Sequence, residues 1–382
     1  MHDRSLLGPA DISDERLTKI VAESLGVDHA ELVSSSAEVA DYDIEALTTA
    51  GRYWVRGIAR VAGAELPFGF FVKVVQSWGR SPMFSTVPEH VRDDALKMLP
   101  WQSEPRVYRT NLAELLPAGL SMPRLYALVD IDDESAGLWL EAVDAVAADW
   151  DTEQLANAAY LLGRLAASAV IRPLALAGDP DHDRTIRAYY SGRLTHQVLP
   201  MLRSNELWQH PLMANTFDAD LRDDLLRAID DIPAHLDELD AMTQTTGHGD
   251  ACTRNLLLTD GPDIVLIDYG FWGRTPVGHD LSQLILGEVQ MGERAADCLP
   301  ELEAACLPAY VRGLADEGLN LPVAVVRRSH ALLMLLFAGF SAPPFEHLGV
   351  PPTPELEQLA RDRAASARFI LDLVAETAAP QL

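Results

Sequence analysis

His248-Gly249-Asp250-Ala251-Cys252-Thr253-Arg254-Asn255 is followed, after a short gap, by Ile264-Val265-Leu266-Ile267-Asp268-Tyr269-Gly270. The first stretch is polar and sets an Asp and an Asn on either side of four residues. The second is an apolar, strand-like run that ends in a carboxylate. Between them Thr259-Asp260-Gly261-Pro262-Asp263 has turn composition. Asn255 to Leu258 and Ile264 to Ile267 therefore read as a small hairpin. Closing it brings Asn255 and Asp268 together, two hard oxygen ligands of the kind that suits magnesium. With each fixed letter at a few per cent, the His-Gly-Asp-to-Asn pattern arises by chance in roughly 10⁻³ of chains this long. The apolar strand and its terminal Asp-Tyr-Gly lower that further. The competing reading is a polar turn between two strands whose Asp and Asn satisfy the backbone.

Phosphoryl transfer from ATP requires a carboxylate at the attacking hydroxyl, a side-chain oxygen on magnesium, and a second carboxylate joining that metal to the phosphates. Asp250, Asn255 and Asp268 offer these groups in the spacing of a kinase catalytic loop. On these residues the chain resembles the aminoglycoside phosphotransferase and choline kinase family, whose loop begins His-Gly-Asp. The resemblance implies an α+β, two-lobed, protein-kinase-like fold. An antiparallel-sheet N-lobe (1–143) would carry the nucleotide loop, a strand Lys and the hinge. A mainly helical C-lobe (144–382) would carry the catalytic loop, metal site and acceptor pocket. It implies Asp250 as catalytic base, Asn255 and Asp268 as magnesium ligands, and His248 as a supporting residue. Asp280, in His279-Asp280-Leu281, would brace the loop through backbone hydrogen bonds. Read locally, Asp280 is a helix N-cap or first-turn carboxylate, which is compatible with that role. Cys252 stands where kinases often keep a cation near the γ-phosphate. A thiol cannot supply that charge, and Arg254 is the nearest replacement.

The implied activity moves the γ-phosphate of ATP, or of another nucleoside triphosphate, to a hydroxyl of a small molecule. An aminoglycoside or other antibiotic-like acceptor is one reading, and a metabolic sugar or amino alcohol is another. Glu288 near Trp272 is a candidate acidic contact for a cationic acceptor. A catalytically silent nucleotide-binding protein is the reading from another class, and intact Asp250, Asn255 and Asp268 argue against it.

Working outward, Phe70-Phe71-Val72-Lys73-Val74-Val75 places a Lys inside an apolar strand. An unpaired charge is costly there. The chain has only three Lys, at 19, 73 and 97, among 30 cationic residues. Where Arg fills nearly every cationic position, a Lys in such a place reads as chemical, since the two are not interchangeable. The alternative is an edge-strand Lys that blocks aggregation. The family resemblance implies that Lys73 pairs the α/β phosphates and a helix Glu. Glu104 is the best partner, with Glu114 next. Pro105 places Glu104 at the start of its helix instead of the middle. The nucleotide loop is expected at Thr48-Thr49-Ala50-Gly51-Arg52-Tyr53-Trp54, between two strands, with a plain hairpin turn as the competing reading, and the adenine hinge at Leu140-Glu141-Ala142-Val143.

The remaining texture agrees with two halves. A helix is expected over 13–25, with Ser13 as N-cap. Strand texture runs from Asp41 to Gln76, with a hairpin turn at Gly63-Ala64-Glu65. Residues 77–100 read as an irregular surface insertion. Pro105–Leu116 has helical spacing, and Arg124–Val129 and Gly137–Val143 read as strands. Asp151-Thr152-Glu153-Gln154 starts a helix reaching about Ile171. Helices are expected over 183–203 and 218–242, and over most of 281–373.

The chain has 382 residues and an apolar fraction of 48%, enough to fill real cores. Its net charge, 30 − 57 = −27, repels nucleic-acid phosphates and anionic lipid, which removes both as partners. The same charge can steer cationic substrates, though it equally serves solubility. No apolar run reaches the ~20 residues that span a bilayer, and the N-terminus lacks a signal-like segment. Cys252, Cys298 and Cys306 form neither a disulfide framework nor a metal cluster. The expected location is the cytoplasm.

Overall fold

The computed structural model describes residues 2–41, 47–99, 101–146, 149–179 and 186–378. Its strands, in chain order, are β1 (His2–Asp3), β2 (Glu31–Val39), β3 (Thr49–Val61), β4 (Ala64–Gln76), β5 (Leu120–Ser121), β6 (Leu125–Asp132), β7 (Ser135–Glu141), β8 (Gln244–Gly247), β9 (Leu256–Leu257), β10 (Ile264–Leu266) and β11 (Gly273–Pro276). Six of them form one sheet in the order β1-β2-β3-β4-β7-β6. All its pairings are antiparallel except β1 with β2.

Alternation along β4 decides what this sheet does. Phe68, Phe70 and Val72 pack on one face with Leu17, Ile20 and Val21 of the helix Asp14–Ser24. Ser13 caps that helix by accepting the Arg16 amide hydrogen. Side chains two apart share a face, so Phe71, Lys73 and Val75 project from the opposite face. There Val75, Leu138 and Leu140 join the large core of the helical half. One face is thus closed by a helix, and the other looks onto the rest of the molecule.

The hairpin β3–β4 turns at Ala62 and Gly63, both with positive φ (49° and 89°), a type I′ geometry whose twist matches the flanking strands. The turn lies earlier than Gly63-Ala64-Glu65, and this shift sets the register that pairs Arg52 with Lys73. Strand texture expected from Asp41 begins at Thr49, with residues 42–46 outside the described set. β2 went unread because its Ser34-Ser35-Ser36 centre hides the alternation. The 77–100 insertion contains a helix, Arg92–Met98, and a small core of Trp78, Val87 and Ala95; Pro100 lies outside the described residues. The single helix expected over Pro105–Leu116 is two, Ser103–Tyr108 and Leu112–Leu115.

The second half is helical. Thr152–Ala167 starts with a full capping box between Asp151 and Gln154 and ends before Ile171. It crosses Leu299–Asp316 closely enough that a Cβ on Gly163 would sit 2.2 Å from Tyr310 O. Only glycine permits that approach. Of the expected helix 183–203, residues 183–185 lie outside the described set, and Ile186–Leu202 is helical with a π-helical stretch at Tyr190–Val198. Ala219–Asp230 and Ile232–Ala241 follow. His279–Met291, Val323–Met334 and Pro354–Thr377 complete the set. Ala331–Phe340 is core. No helix of the described residues is long and apolar enough to cross a membrane. Within this half β9 and β10 form the expected hairpin, with β5 beside β10, and β8 pairs with β11.

Candidate active site

Residues 248–255 run from the end of β8 to the start of β9. Gly249 has φ 86°, and a Cβ there would lie 2.0 Å from Phe271 O. Any side chain would force the loop off its neighbour. Asp280, in the first turn of His279–Met291, holds the loop from beneath. Its Oδ2 accepts the His248 amide hydrogen (2.8 Å) and its Oδ1 the Gly249 amide hydrogen (2.9 Å). Burial opposes ionisation of Asp280, but His279 and these amides outweigh it and hold the carboxyl below its usual range. His248 is fully buried and donates from Nε2 to Ile267 O at 2.9 Å. A carbonyl only accepts, so this contact places the proton on Nε2.

Asp250 and Asn255 meet across the loop. Asn255 Nδ2 donates to Asp250 O and to Asp250 Oδ2, each at 2.9 Å. Both amide hydrogens are thereby engaged, which leaves Oδ1 as the atom available to a cation. Burial raises the Asp250 pKa, and the Asp268 charge adds to this against His248 and Asn255. The Ile267 amide donates to Asn255 O at 3.0 Å, so the hairpin delivers Asp268 beside Asn255. Asp268 is left-handed, at φ 63° and ψ 70°, a conformation that costs a non-glycine residue about 1–3 kcal/mol.

Lys73 reaches this point from β4. Its Nζ lies 2.6 Å from Glu104 Oε2 and 3.0 Å from Asp268 Oδ1. Lys73 and Glu104 are both almost fully buried, 5% and 3% exposed. Burial disfavours the ammonium, yet the two carboxylates raise the Lys73 pKa above its ordinary value. Burial also works against Asp268, but Lys73 wins and lowers it. Glu104 has no solvent relief, so desolvation keeps its pKa raised despite Lys73. Glu104 sits in the first turn of its short helix, next to Pro105, whereas Glu114 lies in the separate helix Leu112–Leu115.

Other expected positions lie differently. Thr49 and Gly51 are inside β3, paired with Val75 and Val74 across an irregular step, and Thr48 O accepts the Gln76 amide hydrogen at 2.8 Å. Thr49 and Gly51 therefore belong to the paired strand and not to a connection before it. Glu141 ends β7. Its amide donates to Arg124 O at 2.9 Å and its carboxylate accepts from Arg124 N at 3.1 Å. Val143 O accepts from Ala145 N. These three groups of the expected hinge are therefore engaged within the protein. Arg254 turns to Glu293, with Nε 2.9 Å from Oε1. Cys252 packs on Gly287, and burial, with Asp250 nearby, pushes its thiol up to about 12. Glu288 pairs with Arg294 in a cavity of about 590 Å³ that Trp150 and Arg254 also line. Trp272 is instead buried, its indole N–H donated to Leu174 O at 2.8 Å.

Arg52 fell within the expected nucleotide loop, but the sequence did not single it out. It stands directly opposite Lys73 in the β3–β4 register, and counting outward from a two-residue turn at Ala62-Gly63 would have found it. Among the described residues no three His, Cys, Asp or Glu side chains converge as a metal cluster. One amide oxygen and one carboxylate fit magnesium, which takes few protein ligands and shares its sphere with water and phosphate.

An aminoglycoside phosphotransferase from Alicyclobacillus acidocaldarius superposes with a TM-score of 0.48 at 14% identity, over 89% of this chain and 91% of the other. One from Streptomyces rimosus gives 0.37 at 18% identity, over 85% and 99%. An ethanolamine kinase from Plasmodium vivax gives 0.43 at 11% identity, over 96% and 88%. No curated protein sequence matches the chain. Residues 101–328, more than half of the chain, match the model of the phosphotransferase enzyme family, and the chain belongs to that family, as a phosphotransferase acting on hydroxyl groups.

Proposed function

We propose that this enzyme transfers the γ-phosphoryl group of ATP, taken with magnesium, to a hydroxyl of a small molecule, with Asp250 as the base. The observation that carries this reading is the convergence of Lys73, Glu104 and Asp268 from separate elements beside the Asp250–Asn255 loop. Asn255 Oδ1 and the Asp268 carboxylate would hold the metal, which when bound neutralises charge on the phosphate oxygens. Lys73 is kept protonated by its two carboxylates and would meet the inner phosphates. Asp250 orients the acceptor hydroxyl and takes its proton. Its raised pKa moves it toward the strength a general base needs. The Asn255 amide holds the carboxylate in one orientation, and Asp280 fixes the backbone that carries it.

Residues 1–143 form the nucleotide side in this reading, and 144–382 carry the chemistry and the acceptor pocket. The acceptor class is an aminoglycoside or similar antibiotic, or else a sugar or amino alcohol of metabolism, and the enzyme works in the cytoplasm. Melting temperatures with ATP alone, magnesium alone and both test the first half. Ligands that bind only the native state raise the melting point by mass action, and the pair should raise it beyond the sum of the two. ADP release across a panel of antibiotics, sugars and amino alcohols tests the second half. No extra shift for the pair, or no release with any hydroxyl acceptor, counts against the reading.

A further inference from the structure

A polyphosphate reaching the Lys73–Asp268 site meets an excess of negative charge. Glu104 and Asp268 already share the ammonium of Lys73, and Asp250 adds a third carboxylate within the field of Asp268. The catalytic loop adds no cation of its own. The Cys252 thiol stays neutral, and Arg254 is drawn to Glu293. A second cation approaches from the sheet. Arg52 on β3 pairs with Lys73 on β4. Directly opposed residues project from the same face, with Cβ atoms about 4.5–5.5 Å apart. Lys73 projects toward Glu104 and Asp268, so Arg52 lies on that same face of the sheet beside it.

Two cations directly opposed on a sheet repel each other. Glu104 and Asp268 offset that repulsion, because both lie close enough to feel the charges of Lys73 and Arg52. A bound polyphosphate would relieve the same repulsion. Arg52 is the fourth residue of β3 and lies well inside its pairing with β4.

We propose that Arg52 is a phosphate-binding residue, which grips the nucleotide polyphosphate from the sheet side and supplies the cation that the catalytic loop lacks. This rests on the ATP-dependent reading above. A guanidinium suits the task because its planar fork donates two parallel hydrogen bonds to a phosphate.

The test measures, on the full chain with magnesium, the affinities for ATP and for adenosine in the wild type, Arg52→Met and Arg52→Lys. Loss of one charged hydrogen-bonding group predicts about 10- to 100-fold weaker ATP binding by Arg52→Met, with adenosine affinity unchanged. Arg52→Lys should fall between, since it keeps the charge without the fork. Unchanged ATP affinity in Arg52→Met overturns the assignment. So does an equal loss for ATP and adenosine, which marks a structural role. A wild type that binds neither ligand instead removes the ATP-dependent reading itself, and the assignment with it.

Discussion

Lys73 Nζ lies 3.0 Å from Asp268 Oδ1, joining the middle of a sheet strand to the residue that follows the β9–β10 hairpin. The same ammonium reaches Glu104 at 2.6 Å. One cation thus connects the sheet, the hairpin and the helix Ser103–Tyr108. Strand alternation aims Lys73, and the left-handed backbone of Asp268 turns its carboxylate to meet it.

Removing that cation leaves Glu104 buried without its ion-pair partner. Breaking a buried pair from one side costs about 3–5 kcal/mol. Lys73→Met should therefore lower the denaturation midpoint clearly, and adding Glu104→Gln should recover much of the loss. Urea titrations of the single and double variants check this. A single variant as stable as the wild type would show that Glu104 does not depend on Lys73.

The two carboxylates of the site should separate by role. If Asp250 acts as the proposed base, Asp250→Asn keeps shape but removes it, a loss of about 10²–10⁴-fold in turnover, with ATP affinity nearly constant. Asp268→Asn should damage magnesium-ATP binding and turnover together. Kinetics with one active acceptor and direct ATP binding distinguish the cases. Equal, small losses in both variants would mean that this loop is not catalytic.

Asp280 uses one oxygen for each of two backbone amides. Asp280→Asn has only one oxygen to offer, and its NH₂ would face an amide that needs an acceptor. An unsatisfied buried group costs about 1–3 kcal/mol. Stability should fall by that order, and turnover should fall more than acceptor affinity, because the backbone carrying Asp250 loses its support. Melting curves and steady-state kinetics of this variant measure both effects.

Acid sensitivity should come partly from His330. Its ring is fully buried, with Nδ1 2.9 Å from Ser282 Oγ, and burial lowers its pKa from 6.5 to about 3. The unfolded chain binds this proton below 6.5 and the folded chain does not, so the unfolded state gains as pH falls. The contribution is fully present above 6.5, shrinks below it, and is gone once pH passes about 3. Each pH unit in that window is worth about 1.4 kcal/mol for one group. His330→Leu should therefore lose less stability than the wild type between about pH 7 and pH 4.5, whatever its stability at neutrality. Parallel slopes for the two proteins would remove His330 as a source.

The sequence by itself determined the pieces that depend on near neighbours. The Asp250–Asn255 step and the hairpin leading to Asp268 lie within a short span, and turn chemistry closes them with little choice. Capping of Asp14–Ser24 by Ser13 and of Thr152–Ala167 by Asp151 and Gln154 is equally local. Lys73 stood out because a charge inside an apolar strand demands a partner. Tertiary structure decided which partners meet. Glu104 reaches Lys73 from the first turn of a six-residue helix, a meeting that helix propensity does not specify. Moving the β3–β4 turn to Ala62-Gly63 changes every cross-strand pair, because side chains alternate with period two. That register alone puts Arg52 opposite Lys73. Arg254 was named as a cation for the phosphates, but Glu293 is the carboxylate it meets. Local pattern sets which way a side chain can point, and long-range packing sets what is there to receive it.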